Sequence, residues 1–310
     1  MTISVVIPTY RRQDDLRRCI DALACQSRPA DEIIVVVRTT DVETFEMLAQ
    51  MNTAPLALRI VSVVEPGQVQ ALNMGLANAM MDIVAITDDD AAPHEDWILR
   101  LERGFEADPQ IGGVGGRDRM FIGGVLQEGR KRTVGKVPVI GRHVGDHHLG
   151  FGRPREVDVL KGVNGAYRAA AIREIGFDTR LLGSGAQVHW EIGLGLALKR
   201  AGWKLIYDPE IVVDHFLAKR FDEDQRDSFN PTAMHNEAYN EMFARGEPLS
   251  LLNRSALLLW ALLIGTRSSP GLVQWARFVT RERALAGAKL KAAVSGRLAA
   301  WDALWRQRAT

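Results

Sequence analysis

Residues 82–91 read DIVAITDDDA. Asp82 to Thr87 is a short apolar run of strand length, and it delivers Asp88, Asp89 and Asp90 directly behind it. Three adjacent carboxylates repel and raise one another's pKa unless a cation or a set of donors balances them. A hard divalent ion, Mg2+ or Mn2+, held by carboxylates together with phosphate oxygens, supplies that balance. The alternative is a solvated turn or a helix N-cap ahead of Pro93 and His94, where aspartate is also favoured. The surroundings of the strand decide between the two.

Upstream, Ile3 to Ile7 is a β-branched run, and the spacing over Arg12–Gln26 predicts a helix with Leu16, Cys19, Ile20 and Leu23 on one face. Glu32 to Val37 (EIIVVV) is almost continuously apolar, the pattern of a strand covered on both faces. Met47 and Leu48 fall in a second helix, Leu58 to Val64 in a third strand and Val69 to Met80 in a third helix. Strands alternating with helices in this way build βαβ units and a parallel sheet. Ligands of such sheets bind beyond the carboxyl ends of the strands. The decisive residues are then Pro8-Thr9-Tyr10, Arg38 to Asp41, Glu65-Pro66-Gly67 and the three aspartates. In the fourth such unit, a carboxylate cluster favours the metal over the solvated turn.

Downstream the pattern changes. Gly112 to Gly152 is rich in glycine and basic residues and shows no clear period, which predicts an excursion over a binding cleft. A strand is expected at Val157 to Leu160, helices near Ala169–Ile175 and Trp190–Ala201, and a strand at Lys204–Tyr207. Beyond Pro248 leucine, tryptophan and arginine dominate, as in a helical module.

Composition bounds the rest. With 46% apolar and 25% charged residues the 310-residue chain is a folded globular one, and its net charge of +1 argues against general nucleic-acid binding. Two cysteines, Cys19 and Cys25, make neither a disulfide scaffold nor a thiolate zinc site. The opening MTISVVIPTY enters a strand with no basic leader, so a cytoplasmic setting is expected.

Taken together, the motifs resemble family 2 glycosyltransferases of the GT-A fold. The matching stretches are VVIPTYRR at 5–12, Gln26 followed by Pro29, EIIVVV at 32–37, Gly67 with ALNMG at 71–75, TDDDA at 87–91, GVNGAYR at 162–168, and AGWKLIYDPE at 201–210 with His215 beyond it. The resemblance implies an α/β fold with a Rossmann-like, mostly parallel central sheet flanked by helices. It divides the chain into a nucleotide-sugar-binding half (1–110), an acceptor-binding and catalytic half (111–247) and a C-terminal helical module (248–310).

By the same resemblance, Asp88 contacts the ribose or sugar, Asp89 is the intervening position, and Asp90 coordinates Mg2+ or Mn2+ on the diphosphate. Pro8, Thr9 and Tyr10 hold the nucleoside. The second strand of the family ends in an acidic pair that accepts from a uracil N–H, whereas this chain has Val37 and Arg38. Arginine only donates, so Arg38 faces a base acceptor or a phosphate, and Asp41 is a substitute carboxylate. Asn73 is implied at donor phosphate or ribose, with Gln68 and Gln70 as weaker candidates and Leu72 where a basic residue is common. The turn at Gly67 opens a helix whose N-terminus favours anions.

Glu191 falls on the family's second acidic position ahead of the stretch Arg200 to Trp203, and is the candidate general base. Trp190 and Gly193 replace the acids on either side. His215 corresponds to a histidine that completes the metal site, and Asp214 faces the same choice. Asn164 and Gly165 are implied at the sugar and acceptor, while Arg168 either meets phosphate or caps a helix. His143, His147 and His148 are acceptor candidates, and Lys131, Arg132, Lys136 and Arg142 suit an anionic acceptor or a solvated surface.

The expected activity is inverting, metal-dependent transfer of a hexose or deoxyhexose from a nucleoside-diphosphate sugar to a lipid-linked or polysaccharide acceptor. A nucleotidyltransferase and a non-catalytic sugar-nucleotide-binding subunit are the alternatives. Residues 266–310 carry nine Lys/Arg against Glu282 and Asp302. Ser255–Gly265 is too short to span a bilayer. Val294, Leu298, Trp301 and Trp305 recur at helical spacing, so the tail either lies on the inner face of the cytoplasmic membrane or packs on the catalytic half or a partner.

Overall fold

The computed structural model describes residues 1–226 and 228–307; Arg308, counted above in the basic tail, lies outside them. The first half alternates β1 (Ile3–Thr9), α1 (Gln13–Ala24), β2 (Glu32–Arg38), α2 (Val42–Gln50), β3 (Leu58–Val63), α3 (Gln68–Asn78) and β4 (Ile83–Ile86). These strands lie parallel in the order β3-β2-β1-β4. Alternate residues of each strand face opposite layers. Val5, Ile7, Val35 and Val37 meet Leu16, Ile20 and Leu23 of α1, while Val6, Ile34 and Val36 meet Val69, Leu72 and Leu76 of α3. Burial on both faces is why EIIVVV has no polar alternation.

From β4 onward the sheet turns mixed. The elements are β5 (Ala91–Pro93), α4 (Trp97–Glu106), β6 (Ile111–Ile122), β7 (Val125–Leu126), β8 (Arg155–Val157), β9 (Gly165–Arg168), α5 (Ala169–Ile175), α6 (Trp190–Arg200) and β10 (Lys204–Phe216). β9 runs antiparallel between β4 and β6, β6 pairs parallel with β10, and β5 and β8 close antiparallel onto β10.

Two stretches differ from the sequence expectation. Gly112–Gly152 does not begin as an excursion: its first part is the twelve-residue β6. The glycines that hide a period are what let β6 into the sheet. A Cβ on Gly112 would lie 2.5 Å from Trp203, one on Gly115 2.4 Å from the Asn164 carbonyl, and one on Gly116 1.9 Å from the Ile211 carbonyl. Of Val157–Leu160 only Val157 is strand; Asp158 instead caps a loop, accepting from the Val137 N–H and pairing with Lys199 at 2.5 Å.

The C-terminal helices are α7 (Pro231–Gly246), α8 (Leu251–Leu263), α9 (Leu272–Glu282) and α10 (Ala284–Arg306). α10 lies along α7, where Met242 and Phe243 bury with Ala300 and Leu304. Two buried arginines tie the module: Arg254 donates to the Gly246 and Leu304 carbonyls, and Arg297 to those of Ala261, Ser269 and Pro270. Among the described residues no helix is long and apolar enough to cross a membrane.

Candidate active site

A cleft opens beyond the carboxyl ends of β1, β2 and β4, with Pro8, Thr9, Tyr10, Arg38, Asp88 and Asp89 on its floor. The segment following β10 forms the opposite wall through Arg220, Phe221, Asp222 and Arg226.

Pairing between β5 and β10 sets the acidic cluster. Ala91 stands in register with His215, and the Phe216 N–H donates to the Asp90 carbonyl at 2.8 Å. His215 Nε2 thereby comes within 3.3 Å of Asp90 Oδ1. Asp88, Asp90 and His215 each present a ligand atom, all within 4.8 Å of one another. Behind them Asp118 of β6 stands 3.7 Å from His215 Nδ1, a carboxylate facing the imidazole beyond hydrogen-bond distance.

Electrostatics follows from this crowding. Burial would hold His215 neutral, but Asp118 and Asp90 push its pKa up to about 9. Burial, with Asp90 beside it, raises Asp88. Asp89 is pushed up to about 7 by burial, even though Arg12 Nη1 stands 2.7 Å away. For Asp90 burial is outweighed by His215, Arg12 and the Ala218 N–H, which donates at 3.0 Å, and its pKa falls well below the carboxylate range. Among the described residues Asp90 Oδ1 and Asp118 Oδ1 are buried without a hydrogen-bond donor. Two carboxylates and an imidazole with an unmet buried oxygen fit a divalent cation, the oxygens suiting Mg2+ or Mn2+ and the nitrogen Mn2+.

Beside the cluster the Arg38 guanidinium stacks 3.7 Å over the Tyr10 ring. It donates to both carboxylate oxygens of Asp222, at 2.9 and 3.0 Å, and to the Ser184 carbonyl. Phe221 meets Tyr10 edge-on. The second strand thus ends in a cation whose acidic partner comes from the opposite wall.

Glu191 lies in the first turn of α6, with Lys161 Nζ 3.5 Å from Oε1. Burial would raise its pKa, but Lys161 and the Gly162 N–H hold it below the usual value. Lys161 in turn has its pKa raised by Glu191 first, with Asp118 and Asp88 adding to it against its desolvation. His189 lines a second cavity of about 480 Å³ together with Arg142, His143, Glu237, Glu241 and Thr266–Ser268.

Other sequence candidates have their polar groups taken up inside the fold. Asn73 exchanges hydrogen bonds with the Phe177 backbone at 2.8 and 2.9 Å. Asn164 is fully buried, accepting from Trp97 Nε1 and donating to the Arg117 and Ile211 carbonyls. Gly165 is a buried strand residue between Ile86 and Gly115. Asp41 caps α2 through Thr44, Asp214 pairs with His94 and Arg119, and Arg168 holds the Ile111 and Phe105 carbonyls. His147 is buried against the Val159 carbonyl, while His143 lines the second cavity beside Glu241. The N-terminus of α3 does not await an anion: its Gln68 and Val69 N–H groups donate to the Gly185 carbonyl and to Gln187 Oε1.

Sequence reasoning missed Arg12, Asp118, Lys161, Asp222 and Arg226. Lys161 left one trace, a single charge between Val159-Leu160 and Gly162-Val163; Asp118, flanked by Arg117 and Arg119, left none.

A sheet of this topology with a carboxylate–histidine cluster at its carboxyl edge defines a GT-A glycosyltransferase fold. Residues 2–229 match the profile described as "Glycosyltransferase like family 2", and the chain belongs to that family. It is a glycosyltransferase, and the family draws on nucleotide-sugar donors. It is similar to the glycosyltransferase AglE of Haloferax volcanii, 26% identical over 280 residues that cover 86% of this chain and 82% of AglE. It is also similar to poly-beta-1,6-N-acetyl-D-glucosamine synthase of Staphylococcus aureus, 21% identical over 67% of this chain, and spans about half (48%) of that synthase. In fold it resembles the mannosyltransferase PcManGT of Pyrobaculum calidifontis, solved with GDP-Man and Mn2+, at a TM-score of 0.59 and 21% identity, covering 97% of this chain and 87% of that one. S. aureus TarS with UDP-GlcNAc aligns at a TM-score of 0.53 and 17% identity over 99% of this chain and 92% of TarS.

Proposed function

We propose that the protein transfers a hexose or deoxyhexose, with inversion at the anomeric carbon, from a nucleoside-diphosphate sugar to a hydroxyl of a lipid-linked or polysaccharide acceptor in the cytoplasm. One observation carries the reading: Asp88, Asp90 and His215 converge beside the cleft that Tyr10 and Arg38 line.

A divalent cation held by Asp88, Asp90 and His215 supplies charge neutralisation to a departing diphosphate. Arg12, Arg220 and Arg226 add positive charge around the same cleft. The nucleoside lies against Tyr10 and the Arg38–Asp222 pair. That pair offers one donor and one acceptor, matching a base edge with a carbonyl and a ring N–H, as in uracil or guanine. Glu191, ionised beside Lys161, takes the proton from the acceptor hydroxyl as it attacks opposite the leaving group.

The test has two arms. Calorimetry with Mn2+ and UDP-, GDP-, dTDP- and CDP-sugars identifies the donor, and Asp90→Ala is expected to abolish the Mn2+-dependent part of that binding. Glu191→Gln is expected to keep donor binding while transfer falls by about 10²–10⁴-fold, the usual loss on removing a general base. Normal transfer by the Gln variant would place the base elsewhere.

A further inference from the structure

The turn between α8 and α9 brings together exposed apolar side chains from both helices. It is drawn tight, with Gly265 bridging to Pro270 and the Gly271 N–H donating to the Ile264 carbonyl at 3.2 Å. That bond sets the start of α9 beside the end of α8. Leu259, Leu263, Ile264, Leu272 and Val273 thus gather at one end of the hairpin, each 42–58% exposed. α9 itself has no buried residue. A helix kept in water by a soluble protein normally hides its apolar side.

The charges along α9 and its turn are mainly basic, while Glu237 and Glu241 face the turn from within the adjoining cavity. Arg267 lies on the turn, and Val273, Arg277 and Arg281 follow one another at four-residue spacing along α9, with Arg283 after it. The acids of this stretch are already taken: Glu282 pairs with Lys289 at 2.6 Å and Asp302 with Arg306 at 2.6 Å. Among the described residues the four arginines make no ion pair. Apolar side chains ringed by unpaired guanidinium groups complement an anionic lipid surface, where acyl chains meet negative headgroups. A protein partner would have to bring both a matching apolar groove and several acids. On α10, where the sequence also places an apolar stripe, Trp301 packs on the core that joins it to α7, while Leu298 and Trp305 stay about half exposed.

We propose that the α8–α9 hairpin docks the protein on an anionic bilayer by inserting Leu263, Ile264, Leu272 and Val273 while Arg277 and Arg281 meet the headgroups. The inner turn of the same hairpin, Thr266–Ser268, lines the 480 Å³ cavity beside His189, two residues before Glu191. Docking therefore brings that cavity to the lipid surface. The use of the cavity by a lipid-linked acceptor rests on the function proposed above, whereas the docking does not.

Flotation of the full chain with vesicles of phosphatidylcholine and phosphatidylglycerol (about 3:1), against phosphatidylcholine alone, tests it without any acceptor. The protein is expected to float with the anionic vesicles at low salt and to leave them at high salt. Arg277→Gln and Arg281→Gln are each expected to weaken binding about five-fold, the factor that ~1 kcal/mol per basic residue implies. Leu263→Asp with Val273→Asp is expected to abolish it. Circular dichroism and donor binding with Mn2+ serve as folding controls. Failure of wild type to float with anionic vesicles, or unchanged binding by these variants, overturns the proposal. So does a dimer in light scattering that the aspartate variants split, since the patch would then be a self-interface. Donor hydrolysis without lipid reports separately on the proposed function.

Discussion

Lys161 stands 3.5 Å from Glu191 while keeping nearly half of its side chain open (45%), so its charge is set by the carboxylates around it rather than by enclosure. Its effect on Glu191 has a definite sign. An opposite charge nearby lowers a carboxyl pKa, and the base role proposed for Glu191 needs the carboxylate form. Replacing Lys161 by Met removes the lowering, leaves burial to raise Glu191, and moves the acid limb of the pH–rate profile to higher pH. Lys161→Arg is expected to keep the limb in place. A profile unchanged in the Met variant would show that Lys161 does not govern the base. At this scale the three aspartates were legible because they are contiguous, and His215 and Glu191 because a motif surrounds them. Asp118 and Lys161 were not, since their meaning lies in partners 97 and 30 residues away that only the folded sheet supplies.

Asn164 shows how the elements are joined. Its side chain bonds Trp97 of α4, Arg117 of β6 and Ile211 of β10 from a position with no solvent exposure. Asn164→Ala leaves three buried polar groups unpaired, at about 1–3 kcal/mol each before relaxation. The variant is expected to lose on the order of 3–5 kcal/mol in chemical denaturation while the folded fraction retains its KM for donor. A large KM change at unaltered stability would instead assign Asn164 to the ligand. Strands β1 to β4 could be read directly because burial on two faces leaves long apolar runs. β6 could not: its inner positions are glycine because carbonyls and ring atoms of β9, β10 and Trp203 fill the space, so strand and loop look alike in the sequence. β10 reads as a strand only to Tyr207, since beyond the register shift at Asp208–Val212 charged and apolar residues mix.

Across the whole molecule, the wall of the cleft is fastened differently from everything around it. Arg38 binds Asp222, Arg12 donates to the Lys219 carbonyl at 2.9 Å, Arg220 pairs with Asp224, and Glu223 accepts from the Ser184 N–H at 2.8 Å. Of these, Arg220–Asp224 lies within the segment, and Asp224 reaches the rest of the fold by accepting from the Ala186 N–H at 3.1 Å; against them the segment offers the aromatic edge of Phe221 on Tyr10. The sheet beneath it is secured by apolar burial, which added salt does not screen. Raising ionic strength shortens the Debye length from about 10 Å at 0.1 M to about 3 Å at 1 M, which weakens ion pairs to the extent that water reaches them and leaves the apolar sheet untouched. Amide hydrogen exchange over 217–226 is expected to accelerate with salt while β1, β2 and β4 stay protected; uniform protection would contradict this. Detachment of such a flap uncovers little hydrocarbon, so it carries almost no heat-capacity change. Its equilibrium is expected to vary only gently with temperature, and the ionic composition of the surrounding water, more than heat, to set how often the cleft stands open.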